Sequence, residues 1–93
     1  MAVAIVMDFP GGTLDQYDAV LASMGLVPGG PPPDGAIFHF VTRTDNGIRV
    51  IDVWETREQF DKFAQEQIGP QTQKAGFAGP PTMTVHEVHN YFV

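Results

Sequence analysis

One short pattern occurs twice in this chain, each time directly after an apolar, extended stretch. Thr13-Leu14-Asp15-Gln16-Tyr17-Asp18-Ala19-Val20 lines up with Thr56-Arg57-Glu58-Gln59-Phe60-Asp61-Lys62-Phe63. The shared order is Thr, any residue, acid, Gln, aromatic, Asp, any residue, apolar. Thr followed three residues later by Gln is a capping box: the hydroxyl accepts a backbone N–H and the amide reaches back to the cap. Capping chemistry alone explains two of the matches. Helical spacing then continues in both copies. Leu14, Tyr17, Val20, Leu21 and Met24 form one apolar stripe, and Phe60, Phe63, Ala64 and Ile68 form another. Gly25 ends the first helix, and Gly69-Pro70 ends or kinks the second.

Four stretches around these helices read as strands. Residues 2–8 are continuously apolar, which predicts a central strand covered on both faces. Residues 36–44 and 48–54 flank Asp45-Asn46-Gly47, a hairpin signal. Residues 83–93 are rich in β-branched and aromatic types. Pro28-Gly29-Gly30-Pro31-Pro32-Pro33-Asp34 is a loop, because consecutive prolines cannot pair inside a sheet. The order βαββαβ predicts an α+β, ferredoxin-like fold with a four-stranded antiparallel sheet. At 93 residues the chain supports one core, so residues 1–93 form a single domain.

Two helices can cover only one face of such a sheet. A turn at Asn46-Gly47 would pair Arg43 with Val50, Val41 with Asp52 and His39 with Trp54. Phe38, Phe40, Ile51 and Val53 then share one face, which is purely apolar and is expected under the helices. Ile37, His39, Val41, Val50, Asp52 and Trp54 share the other. That face is too apolar to stay wet, and the chain has nothing left to cover it. A second copy is therefore expected there, giving a homodimer through the open sheet face and a barrel-like core with a cavity in each half.

The third strand running into the second helix, Asp52-Val53-Trp54-Glu55-Thr56-Arg57-Glu58-Gln59-Phe60-Asp61-Lys62-Phe63, carries a resemblance. With the βαββαβ order, it resembles the dimeric α/β-barrel superfamily and in particular its antibiotic biosynthesis monooxygenase-like group. The resemblance implies a homodimer with a pocket for an apolar small molecule. In the oxygenase branch it implies that an electron-rich phenol is deprotonated and reacts with O₂ without metal or flavin. The haem-degrading branch uses Asn, Trp and His around haem. Here residues 1–8 contain no Asn and neither helix contains a His, so no haem or other cofactor is expected.

The mixed face holds the candidate chemistry. His39 is a possible general base, with Asp52 to orient its ring; the same pair could instead be structural. Trp54 could wall a planar ligand, with Val41 and Val50 beside it and the Tyr17 hydroxyl at the mouth. His86 and His89 stand three apart on a strand and so point to opposite faces, which argues against a metal site. His89 is placed toward the cavity with Tyr91, as a further candidate base. The candidates are thus His39, Asp52 and His89 for catalysis, and Trp54, Tyr17, Val41, Val50 and Tyr91 for substrate. No phosphate loop, nucleophile elbow or cysteine is present.

Composition narrows the partners. Lys and Arg number 5 against 11 Asp and Glu, a net charge of −6, which disfavours nucleic acid and anionic membranes. No signal peptide or membrane span is expected, and a cytoplasmic location is the default. The functional expectation is a protein that binds an apolar, aromatic or polyketide-like molecule, either as a cofactor-independent monooxygenase or as a proton-transfer enzyme. The alternative is a non-catalytic binding or interaction protein whose cavity is filled by its own side chains.

Overall fold

Along β1 (Val3–Pro10) the side chains of Val3, Ile5, Met7 and Phe9 are buried, while those between them are only half-buried. The computed structural model describes all residues, 1–93. β1 is followed by α1 (Leu14–Met24), β2 (Ala36–Thr44), β3 (Gly47–Trp54), α2 (Arg57–Phe63), a π-helical turn (Ala64–Ile68), α3 (Gly69–Lys74) and β4 (Thr82–Glu87). One antiparallel sheet results, in the order β2-β3-β1-β4. This is the expected ferredoxin-like arrangement, with β1 and β3 central.

The helix starts and the first helix stop follow the sequence. Thr13 and Gln16 close the full capping box on α1, and Gly25 adopts the left-handed conformation (φ 73°) that ends it. At α2 only half of the expected box forms: Thr56 Oγ1 accepts the Gln59 N–H, while its hydroxyl donates to Gln59 Oε1, which therefore does not reach back to the Thr56 backbone. Gly69-Pro70 does not stop the second helix. The turn before it widens instead, with the Gly69 N–H reaching the Ala64 carbonyl five residues back. Such a turn accommodates the ring and the missing N–H of Pro70, and the helix runs on to Lys74.

The hairpin is shifted from the expected register. Thr44 pairs with Gly47, so Asp45-Asn46 is the turn and Gly47 opens β3. Gly47 lies against the first strand: a Cβ there would collide with the Phe9 carbonyl, and the Gly11 N–H donates to the Asn46 carbonyl at 2.7 Å. The shift is even, so the two face sets survive. His39 now stands opposite Asp52 and Val41 opposite Val50. A bulge between Ala36 and Phe38 puts Ala36, not Ile37, opposite Trp54.

The assignment of the faces is reversed. The helices lie over Val50, Asp52 and Trp54, which are buried together with Ile48 and Phe60. Phe38 and Phe40, expected beneath the helices, are exposed on the opposite face at 46 % and 41 %. Register parity groups residues by face but does not say which face the helices take. Purity of the apolar set was a poor guide because the polar groups of the mixed face satisfy one another. Trp54 meets Phe60 edge-on (5.7 Å between ring centroids) and packs on Phe63 (5.2 Å). It continues into the row Val3, Ile5, Met7 and Phe9, so β1 too has only one covered face.

β4 is shorter than expected. It pairs antiparallel with β1, Val3 standing opposite Glu87, and the last bond runs from the Val88 N–H to the Ala2 carbonyl at 2.9 Å. The partner strand has then run out. His89 and Tyr91 fall beyond β4, both exposed, and His86 stands opposite Ala4 on the open face.

Candidate active site

Between the helices and the β2 side of the sheet lies a cavity of about 590 Å³. Its floor includes Val41, Val50 and Trp54, its roof Phe63 and Ile68, and its rim the proline-rich loop 28–33. β2 is an edge strand with no fully buried residue, so the space opens where helix cover ends. The π-turn brings Ile68 to the roof, and Thr72, whose hydroxyl donates to the Ile68 carbonyl at 2.7 Å, stands beside it.

Four polar side chains run through this wall as one hydrogen-bonded chain. The Trp54 indole N–H donates to Oδ2 of Asp52 at 3.0 Å. The other carboxylate oxygen, Oδ1, meets His39 Nδ1 at 2.5 Å. The far ring nitrogen, Nε2, meets the Tyr17 hydroxyl at 2.6 Å. Asp52 is buried at 4 % exposure, and a carboxylate there needs both of its donors. Those donors set the tautomer: Nδ1 carries the proton toward Asp52, which leaves Nε2 as the acceptor of the Tyr17 O–H. The Tyr17 and His39 rings lie nearly parallel, 5.9 Å apart.

Sheet geometry and helix capping build this chain of bonds. The cross-strand pair His39–Asp52 follows from the hairpin register, and Trp54 lies two residues further along the same face of β3. Tyr17 is presented from the first turns of α1, whose start is held by Thr13 and whose Gln16 side chain donates to the Gly76 carbonyl at 3.1 Å.

Burial pushes the Tyr17 phenol above its ordinary pKa of 10, and the Asp52 and Asp18 carboxylates push it the same way. The neutral hydroxyl is therefore its form across the physiological range. The unfolded chain ionises this phenol near pH 10 while the folded chain still holds the proton. The stabilising contribution is thus complete below pH 10 and is lost as pH rises through the higher folded value. Absorbance titration at 295 nm is expected to show one of the chain's two tyrosines ionising late, and Tyr17→Phe should remove that step. A late step that persists in the variant would refute the assignment.

The structure brings together His39, Asp52, Trp54, Tyr17, Val41 and Val50. It does not bring His89 or Tyr91 to them, since neither lines the cavity. Asp18 and the loop 28–33 were not among the sequence candidates, yet they form part of the wall. The signal for the loop was present: three consecutive prolines between a helix and an edge strand make a stiff rim. No three His, Asp or Glu side chains converge anywhere in the structure to hold a metal, and no helix is long and apolar enough to cross a membrane.

No protein-family model and no curated protein match the sequence. Solved structures do match the fold. Rv0793 from Mycobacterium tuberculosis superposes with a TM-score of 0.67 at 17 % identity, covering 98 % of each chain. SnoaB, a cofactor-independent oxygenase from Streptomyces nogalater, gives 0.61 at 16 % identity, covering 97 % of this chain and 94 % of its own. The monooxygenase ActVA-Orf6 of Streptomyces coelicolor, solved with nanaomycin D, gives 0.59 at 18 %, covering 99 % and 90 %. This chain shares the fold of these structures and of proteins described as antibiotic biosynthesis monooxygenases.

Proposed function

We propose that the protein is a cofactor-independent monooxygenase that deprotonates an aromatic, polyketide-like phenol in this cavity and lets the resulting anion react with O₂. The observation that carries the reading is the chain Trp54–Asp52–His39–Tyr17, which ends on a hydroxyl in an apolar space of about 590 Å³. The oxygenase activities of SnoaB and ActVA-Orf6 and the ligand of the latter point the same way. A cavity filled by side chains, as a purely structural protein would have, should fall below about 300 Å³; this one does not.

The chemistry follows from the hydrogen-bond directions. Asp52 holds the His39 proton on Nδ1, so Nε2 is free to accept another. A substrate hydroxyl lying against the Tyr17 oxygen passes its proton there as the Tyr17 proton moves to Nε2. The phenol of Tyr17 never carries the charge, which suits its raised pKa. The substrate, now an enolate, adds O₂ at carbon, and the peroxide anion takes back the proton from the imidazolium through Tyr17. Loss of water from the hydroperoxide, breaking O–O and the remaining C–H, leaves a carbonyl. Overall, a CH₂ group and O₂ give C=O and H₂O. The apolar walls limit the access of solvent protons to the anion.

The test is oxygen uptake with 1,8-dihydroxyanthrone. Wild type is expected to consume one O₂ per quinone formed, well above the spontaneous rate. His39→Ala should lose about 10²-fold or more. Equal rates in both proteins would sink the proposal.

A homodimer belongs to this reading. The face bearing Phe38 and Phe40, continued by Ala4, Val6, Ile51 and Val53, has no cover within the chain. An apolar sheet face of this kind is expected to meet a second copy. Sedimentation at the monomer mass would count against that.

A further inference from the structure

Every side-chain donor that lines the cavity is already committed within the protein. Trp54 Nε1 and His39 Nδ1 both serve Asp52, the Tyr17 hydroxyl serves His39, and the Thr72 hydroxyl serves the Ile68 and Gly69 carbonyls. No Lys or Arg reaches the cavity; its two charged carboxyl side chains are Asp52 and Asp18. The rim adds little. Four of the six residues 28–33 are prolines without an N–H, and the Gly30 N–H is donated to the Val27 carbonyl at 2.9 Å, which leaves only the Gly29 amide. What the wall offers a ligand is acceptors: the outer lone pair of the Tyr17 oxygen and the carboxylate of Asp18.

We infer that the cavity selects uncharged, hydroxyl-bearing aromatic ligands and turns away their carboxylated counterparts. The inference rests on the reading of the cavity as a ligand site and adds the charge class of what enters it. A phenol donates into this wall and loses nothing. A carboxylate would leave water, find no cation and no free side-chain donor, and stand in an apolar space near two carboxylates. The substrate's acidic groups, if its precursor had any, must be removed or masked before it enters. A decarboxylase, or an enzyme that esterifies or lactonises the acid, is the class of reaction that must come first.

Trp54 is the only tryptophan and lines the cavity, so its fluorescence reports occupancy independently of turnover. The probes are 1,8-dihydroxyanthraquinone, its 3-carboxamide and its 3-carboxylate, titrated at neutral pH. The carboxamide matches the acid in bulk and differs in charge. It is expected to quench Trp54 at a concentration about tenfold or more below that needed for the carboxylate. Asp18→Lys should bring the two within about threefold of each other. If wild type binds the carboxylate within about threefold of the carboxamide, the selectivity is refuted while oxygen uptake with the anthrone can still stand. If none of the three quenches Trp54, the cavity is not a site for such ligands, and the functional reading falls with the selectivity.

Discussion

Asp52→Asn, a change of one oxygen to an NH₂ group, is expected to cost about as much turnover as removing His39 altogether, about 10²-fold or more. The carboxylate now accepts from two donors at once, the Trp54 indole at 3.0 Å and His39 Nδ1 at 2.5 Å. An amide has one accepting oxygen. If that oxygen keeps the Trp54 bond, the amide NH₂ faces His39 and is satisfied only when Nδ1 becomes the acceptor. The ring proton then moves to Nε2, which donates toward Tyr17 instead of accepting from it. The base has been turned around without being removed. If the amide flips, the Trp54 N–H is left buried and unpaired, at about 1–3 kcal/mol of stability. The first outcome stops proton uptake at Nε2; the second keeps the Nδ1 tautomer but sets the amide NH₂ against the buried Trp54 N–H, so the first is the one expected. The check is oxygen uptake by Asp52→Asn, His39→Ala and the double variant. Groups that act as one unit lose their effect together, so the double should be no slower than His39→Ala. An Asp52→Asn protein that stays within about threefold of wild type would show that the carboxylate plays no part in the base.

Much of this architecture is legible in the sequence. The two capped helices, the element order and the grouping of His39, Val41, Val50, Asp52 and Trp54 on one face all follow from local rules with short range: a hydroxyl three residues before an amide, and side chains alternating along a strand. What was not readable depends on distant partners. Gly47 looked like a turn residue, but the backbones of Phe9 and Gly11 close over it and make it the start of β3. His89 and Tyr91 looked like strand residues, but β4 can extend only as far as β1 begins. The helices cover the mixed face, not the purely apolar one expected beneath them, although burying His39 and Asp52 there carries a cost. Tyr17, an α1 residue 22 positions before His39, and the Trp54 N–H remove that cost. The Tyr17 bond is not visible in the pattern of β2 and β3 alone, whereas Trp54 and Asp52 share one face of β3.

Trp54 should matter more to stability than any other single side chain. It is 1 % exposed, touches Phe60 and Phe63, and anchors the buried carboxylate. Truncation of a buried aromatic costs about 3–5 kcal/mol, and loss of a donor to a buried carboxylate oxygen adds about 1–3 kcal/mol. A domain of this length has roughly 5–14 kcal/mol in total. Trp54→Ala is therefore expected to leave the protomer at the edge of unfolding, with its midpoint lowered by 15 °C or more at about 4–8 °C per kcal/mol. Trp54→Phe separates the two contributions. The ring keeps most of the contact with Phe60 and Phe63, so only the donor and part of the area are lost, and the decrease should be about half as large. Urea unfolding followed by far-UV circular dichroism measures both, since neither variant retains a tryptophan signal. If Trp54→Phe falls as far as Trp54→Ala, the indole N–H on Asp52, and not the packing of the ring, is what holds this corner of the core.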